Sequence, residues 1–155
     1  MEQFINQALS DNEAYENIHV VVFENKSGRG MTVANFAAQK YLDAFTHDGP
    51  YLKILREDLP DQHFIEAWQF NKTHDAIVVN PLWLQEMQVA EAERERNRRI
   101  WLVQDELTAL QTDLMLGIID DESTAHLIKL KKYVIDLKQL DVAIAPDVIW
   151  PELPD

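Results

Sequence analysis

Residues 120–155 read DDESTAHLIKLKKYVIDLKQLDVAIAPDVIWPELPD, and two different structural signals meet in this stretch. In its first half, apolar residues recur at spacings of three and four, which places them on one face of an amphipathic helix. These residues are Leu127, Leu130, Val134, Leu137 and Val142 or Ile144, with Ile128 and Tyr133 widening the stripe. Asp120 or Asp121 can cap the helix by accepting bonds from amides of its first turn. In the second half, prolines exclude a helix and predict an extended tail that carries Trp150. The prolines are Pro146, Pro151 and Pro154.

A longer helix is predicted immediately upstream, from Leu82 to about Leu116, because nothing in that stretch breaks it. Asn80 can cap this helix, and Pro81 suits its first position. A heptad-like apolar seam runs along its second half and consists of Ile100, Val103, Leu107, Leu110 and Leu114. Gly117 suits a left-handed residue at the end of the helix. Because only a short turn separates the two helices, we expect them to fold back as an antiparallel hairpin.

The first half of the chain alternates between strand and helix signals. Strands are predicted at residues 18–24, 51–55 and 76–79, and helices at residues 1–17, 33–45 and 61–70. This alternation predicts a small three-stranded α/β unit, with strands that are parallel or mixed. The glycine-rich segment at residues 25–32 lies between a strand and a helix, but it lacks the spacing of a phosphate-binding loop. A tight turn is therefore favoured over a nucleotide site.

These elements predict a fold of class α+β or α/β with two domains. The first, residues 1–80, is the small α/β unit, and the second, residues 81–155, is the helical hairpin with its extended tail. A two-helix hairpin has too little interior to be stable alone. Its apolar surface must be buried against another surface, which the first domain, a second copy or a client protein could provide.

The order of short motifs in residues 118–154 is more specific than their composition. After the acidic cap and the leucines come Lys131-Lys132-Tyr133, Leu137, Asp141, Ala145-Pro146-Asp147, Trp150-Pro151-Glu152 and a closing Pro154. This order resembles the end of the tail fibre assembly proteins of tailed bacteriophages. That family typically has a tryptophan before the K-K-Y motif, where this chain has Leu130.

The resemblance implies a chaperone that binds a phage tail fibre protein, at the C-terminal end of that protein, and promotes its folding or trimerisation. It implies action in the cytoplasm of the bacterial host, with retention at the fibre tip as a further option. It requires no cofactor. We expect the first domain to supply client specificity and the hairpin and tail to act as a scaffold. Self-association through the hairpin is left open.

The composition narrows the classes of function. A formal net charge of −13 disfavours a nucleic-acid binder, which needs clustered Lys and Arg. The absence of cysteine excludes disulfides and thiolate metal sites. No apolar run is long enough to cross a bilayer, so we expect no membrane partner. An acidic immunity or inhibitor protein that binds a basic partner is the alternative, because electrostatic steering would suit it.

A search for catalytic motifs finds neither a nucleophile elbow nor a zinc-protease helix, and we predict no enzyme. His63, Glu66 and His74 are the best metal-ligand candidates, but scattered histidines usually lie on surfaces, so no metal site is predicted.

The candidate interaction residues lie in the second helix of the hairpin and in the tail. They are Tyr133, Leu137, Pro146, Trp150 and Pro151. Two roles are open for them. They either anchor the tail to the hairpin or contact a partner, since aromatic residues dominate interface energetics. Anchoring is favoured, because a tryptophan between prolines would otherwise be exposed and adhesive. Trp101, which lies off the seam, is a candidate packing partner for Trp150.

Overall fold

The computed structural model describes residues 19–36 and 39–155. The helix expected at residues 1–17 lies outside this range. The chain divides into two compact units, of which the first ends at Leu84 and the second is Gln85–Asp155. The described strands are β1 (His19–Glu24), β2 (Met31–Ala34), β3 (Tyr51–Leu55), β4 (Trp68–Phe70) and β5 (Ile77–Val79). The described α-helices are α1 (Gln39–Asp43), α2 (Pro81–Leu116) and α3 (Asp121–Gln139), and short 3-10 turns occupy Arg56–Asp58, Gln62–Ala67 and Val142–Ile144.

The first unit contains a three-stranded antiparallel sheet in the order β2-β1-β3. Its central strand β1 has no exposed surface at Val20, Val21 and Val22, as a strand covered on both faces requires. The expectation of parallel or mixed strands is wrong. The chain turns back after β1 through a six-residue connection, Asn25 to Gly30, which is too short for a parallel crossover. The predicted helix from residue 33 starts too early, because Val33 belongs to β2.

A second, two-stranded sheet joins β4 to β5 in antiparallel register. The sequence placed Trp68 and Phe70 at the end of a helix, but the helical segment is a 3-10 turn that stops at Ala67. Trp68 and Phe70 then enter a strand and pack with Val20 and Val22 of the first sheet. The third predicted strand therefore exists as β5. It pairs with β4, a strand that was not predicted because its residues were assigned to the end of a helix.

Local signals set the ends of the two long helices. The side-chain oxygen of Asn80 accepts bonds from the amides of Leu82 (3.0 Å) and Trp83 (3.3 Å), and Pro81 is the first residue of α2. Asp120 caps α3 by accepting the amide of Ser123 at 2.7 Å, and this bond lowers the pKa of Asp120. These caps satisfy amides that have no partner within their own helix.

The turn between α2 and α3 is a Schellman motif centred on Gly117, whose φ is +70°. The Gly117 amide donates to the carbonyl of Leu114 at 3.1 Å, and the Ile118 amide donates to Asp113 at 3.0 Å. Both bonds are the ones that define this motif, and they occupy carbonyls that the end of α2 leaves open. The turn predicted at Gly117 is confirmed.

The two helices pack through the predicted seam. Their buried cluster is Val103, Leu107, Leu127, Leu130, Tyr133, Val134 and Leu137, with Ile100 and Leu110 partly buried against it. Leu114 and Ile128, which the periodicity included, are 51% and 64% exposed. The periodicity was also wrong to extend the second helix to Val142 or Ile144, because α3 ends at Gln139 and these two residues lie in a 3-10 turn. No helix in the described part of the chain combines the length and apolar character needed to span a membrane.

Candidate interaction site on the helical hairpin

The tail, residues 140–155, returns along the hairpin after α3 ends. A 3-10 turn at Val142–Ile144 brings Val142 and Ala145 against Ala92 of α2, with Val89 and Val148 packed around them. The side-chain amide of Gln85 donates to the carbonyls of Ala143 and Ala145, both at 3.0 Å. The tail is therefore held by apolar packing and by two hydrogen bonds from one side chain.

Trp150 connects the two apolar clusters of this unit. It packs against the hairpin cluster and also against the cluster formed by Ala92, Val142 and Ala145. The guanidinium carbon of Arg99 lies 4.8 Å from the centroid of its ring, within the range of a cation–π contact. Trp101, the packing partner that the sequence suggested for Trp150, is instead 73% exposed.

Arg99 is oriented by a carboxylate on its own helix. Glu95 accepts a bond from Nε of Arg99 at 2.7 Å and two bonds from Arg98, at 2.7 and 2.9 Å. These charge-assisted bonds lower the pKa of Glu95 to about 2, so its carboxylate is ionised at neutral pH. Acidic and basic residues alternate in this part of α2, and one of its arginines, Arg99, lies over the tail.

A groove of about 290 Å³ lies between α3 and the tail. It is lined by Lys129, Lys132, Tyr133, Asp136, Pro151, Glu152 and Pro154. Farther along the same helix, Nε2 of His126 lies 2.9 Å from Oε1 of Glu106, and its Nδ1 lies 3.2 Å from the carbonyl oxygen of Asp155. His126 of α3 therefore reaches the end of the tail, and Glu106 of α2 contacts the other nitrogen of its ring.

The five residues singled out from the sequence occupy three kinds of position. Tyr133 and Leu137 are 5% and 0% exposed and belong to the hairpin cluster. Pro146 is exposed and follows a cis peptide bond, whereas Trp150 and Pro151 are half-buried at the tail contact. Burial of Tyr133 and Leu137 favours an anchoring role for these two over direct contact with a partner.

Sequence reasoning missed two residues that hold the tail, Gln85 and Arg99. Neither could be found from spacing, since each meets the tail across more than 45 positions of intervening chain.

The end of the hairpin is a second feature that sequence reasoning did not identify. Among the described residues, a run of large apolar side chains is exposed there: Leu114 (51%), Met115 (86%), Leu116 (66%) and Ile118 (69%). We call these four residues the tip patch.

The metal candidates do not form a site. Within residues 19–36 and 39–155, no group of three or more His, Asp or Glu residues is placed to hold a metal ion. His63 lies in a 3-10 turn with its ring against Phe64, and His74 lies in the β4–β5 turn with its ring 5.6 Å from Phe70. His74 has a φ of +57°, as a turn residue can.

If Trp150 anchors the tail, its replacement destabilises the second unit more than replacement of Trp101 in the same unit. We expect Trp150→Ala to lower the free energy of unfolding by about 2–3 kcal/mol, because it removes packing from both apolar clusters. Trp101→Ala is the matched control, and we expect a change within about 0.5 kcal/mol because its side chain is mostly exposed. Urea unfolding followed by circular dichroism measures both. Equal effects would contradict the anchoring role of Trp150.

The comparisons with known proteins agree with the motif order in the tail and extend beyond it. The family model described as Caudovirales tail fibre assembly protein, lambda gpK, matches residues 34–155. Tail fiber assembly protein U' of Escherichia phage Mu is 31% identical over 88 residues, which cover 57% of this chain and 48% of that protein. Protein TfaD of Escherichia coli (strain K12) is 33% identical over 66 residues, which cover 43% of this chain and 35% of that protein.

This chain thus matches about half of the length of one curated relative and about a third of the other. No solved structure matches it. The match to the family model nevertheless spans most of the chain, from within β2 through the long helices to the last residue of the tail. The chain belongs to the Caudovirales tail fibre assembly protein family.

Proposed function

We propose that this protein is an assembly chaperone for a bacteriophage tail fibre protein. The observation that carries the proposal is the family match over residues 34–155. The protein binds the fibre protein at its C-terminal end and promotes its folding and trimerisation. It acts in the cytoplasm of the bacterial host, and it stays on the fibre tip after assembly.

The mechanism is passive. Unassembled subunits of a trimeric fibre expose apolar surface and open strand edges, which are prone to aggregate. A protein that covers this surface until the trimer buries it raises the yield of correct assembly without a nucleotide. The chemistry of the hairpin suits this role, because the tip patch exposes four large apolar side chains on a strongly acidic chain. Single exposed apolar residues are ordinary, but contiguous ones mark interaction sites.

The acidic inhibitor alternative rests on the net charge of −13 and on the small first unit. It gives no reason for the ordered tail motifs, which the family match includes. Self-association through the hairpin is a further part of the proposal, because a second copy could cover exposed positions of α2 and α3.

The test is co-expression with the tail fibre protein of the same phage or prophage. Size-exclusion chromatography with light scattering then measures the mass of the fibre protein alone and together with this chain. We expect a soluble trimer, and a complex whose mass gives the stoichiometry, only when this chain is present. A fibre protein that forms the same trimer alone, with no complex eluting, would overturn the proposal.

A further inference from the structure

The four side chains of the tip patch point in different directions, so a flat helix face of a partner cannot cover all of them. Leu114, Met115 and Leu116 are consecutive residues in the last turn of α2, so their side chains point about 100° apart around the helix axis. Ile118 follows in the Schellman turn. The patch therefore wraps around the end of the hairpin. A partner that buries all four side chains must enclose this end with a concave apolar surface.

The charges around the tip patch have one sign. From Ile100 to Ile128 the sequence contains no Lys or Arg, whereas six acidic residues occur there. They are Asp105, Glu106, Asp113, Asp120, Asp121 and Glu122. A second copy docking tip to tip would bring these carboxylates together, which is unfavourable. Charge complementarity instead favours a partner whose apolar surface is rimmed by Lys or Arg.

The stability of the two helices accounts for the positions of only some of these six carboxylates. Asp120, Asp121 and Glu122 lie at the start of α3, where negative charge is favourable and Asp120 caps the helix. Asp113 lies near the end of α2, where the helix dipole disfavours a carboxylate. Its charge therefore costs the helix stability, and a partner with basic residues would account for it.

We propose that the tip patch is a docking site for the tail fibre protein, at a concave apolar surface of that protein rimmed by basic residues. This inference rests on the proposed chaperone function and adds where on this chain the client binds. It departs from the expectation that the first domain alone supplies client specificity, because it assigns client contact to the hairpin.

The test is the affinity of the full chain for the fibre trimer, measured by isothermal titration calorimetry after the trimer has been assembled by co-expression with the unaltered chain and then separated from it. The tip variant carries Met115→Ser and Ile118→Ser. The control variant carries Ile128→Ser and Ile135→Ser, which alter exposed isoleucines of α3 away from the tip. We expect the tip variant to bind at least about tenfold more weakly and the control to bind within about twofold of the unaltered chain. All of these side chains are at least half exposed, so unchanged urea unfolding curves confirm that each variant folds.

The variant Asp113→Asn separately tests whether negative charge beside the tip patch contributes to binding of the fibre protein. We expect it to weaken binding and to make the affinity less dependent on salt, while the unfolding midpoint stays the same or rises. Tip-variant binding equal to that of the unaltered chain would overturn the docking site and leave the chaperone function intact. So would a tip variant that loses only self-association in light scattering. Absence of binding by the unaltered chain would instead overturn the proposed function, and the docking site with it.

Discussion

Replacing Leu137 by alanine lowers the free energy of unfolding of the hairpin unit by about 3–5 kcal/mol in our account. Leu137 has no exposed surface and lies in the cluster that joins α2 to α3. The substitution removes three carbon atoms from a position enclosed by both helices, and the lost contacts add to the cavity that remains. A unit of this size has few other apolar clusters to compensate.

Urea unfolding of the full chain, followed by helical circular dichroism at 222 nm, measures this effect. Ile135→Ala is the matched control, because Ile135 is on the same helix and is 50% exposed. We expect that control to change the free energy of unfolding by about 0.5 kcal/mol or less. If both variants unfold at the same urea concentration, the seam assigned here does not hold the hairpin together.

Replacing Gly30 by alanine has the second large expected effect, a loss of about 3 kcal/mol or more from the first unit. The φ of Gly30 is +73°, which disfavours any side chain. A Cβ at this position would also lie 2.7 Å from Cα of Glu66 and 3.0 Å from the carbonyl oxygen of Ile65. Both are backbone atoms, so they cannot move aside as a flexible side chain would.

Gly28 provides the matched control within the same turn. Its φ of +75° is nearly identical, but a Cβ there would meet nothing within 4 Å. We expect Gly28→Ala to cost only the conformational term, about 1 kcal/mol. Thermal unfolding of both variants gives the difference between them, which isolates the contact of Gly30 with the Gln62–Ala67 turn. Equal losses would show that this close approach does not form in solution.

The sequence predicted the hairpin well because its signals are local and repeated. The seam at Val103 and Leu107, the caps at Asn80 and Asp120, and the stop at Gly117 each act within one or two turns of helix. Such signals give the same result wherever the helix is placed. The tail also followed from local rules, since its prolines exclude a helix.

The first unit was predicted less well because its strands are short and depend on distant partners. Met31–Ala34 and Trp68–Phe70 have four and three residues, too few for a period to be read. Strand direction was misjudged because Val33 of β2 was predicted to start a helix, so the connection after β1 looked long enough for a parallel crossover. The contact of Arg99 with Trp150 has no local signal, and the tip patch becomes visible only when burial is measured.

The proposed promotion of fibre trimerisation by this chain can be tested by refolding the fibre protein from purified components. The fibre protein is unfolded in guanidinium and diluted into buffer without nucleotide, with one equivalent of this chain or of an unrelated acidic protein. Light scattering then gives the fraction recovered as trimer. We predict a high trimer yield with this chain and aggregation with the unrelated protein. Equal trimer yields in the two mixtures would show that this chain does not promote trimerisation.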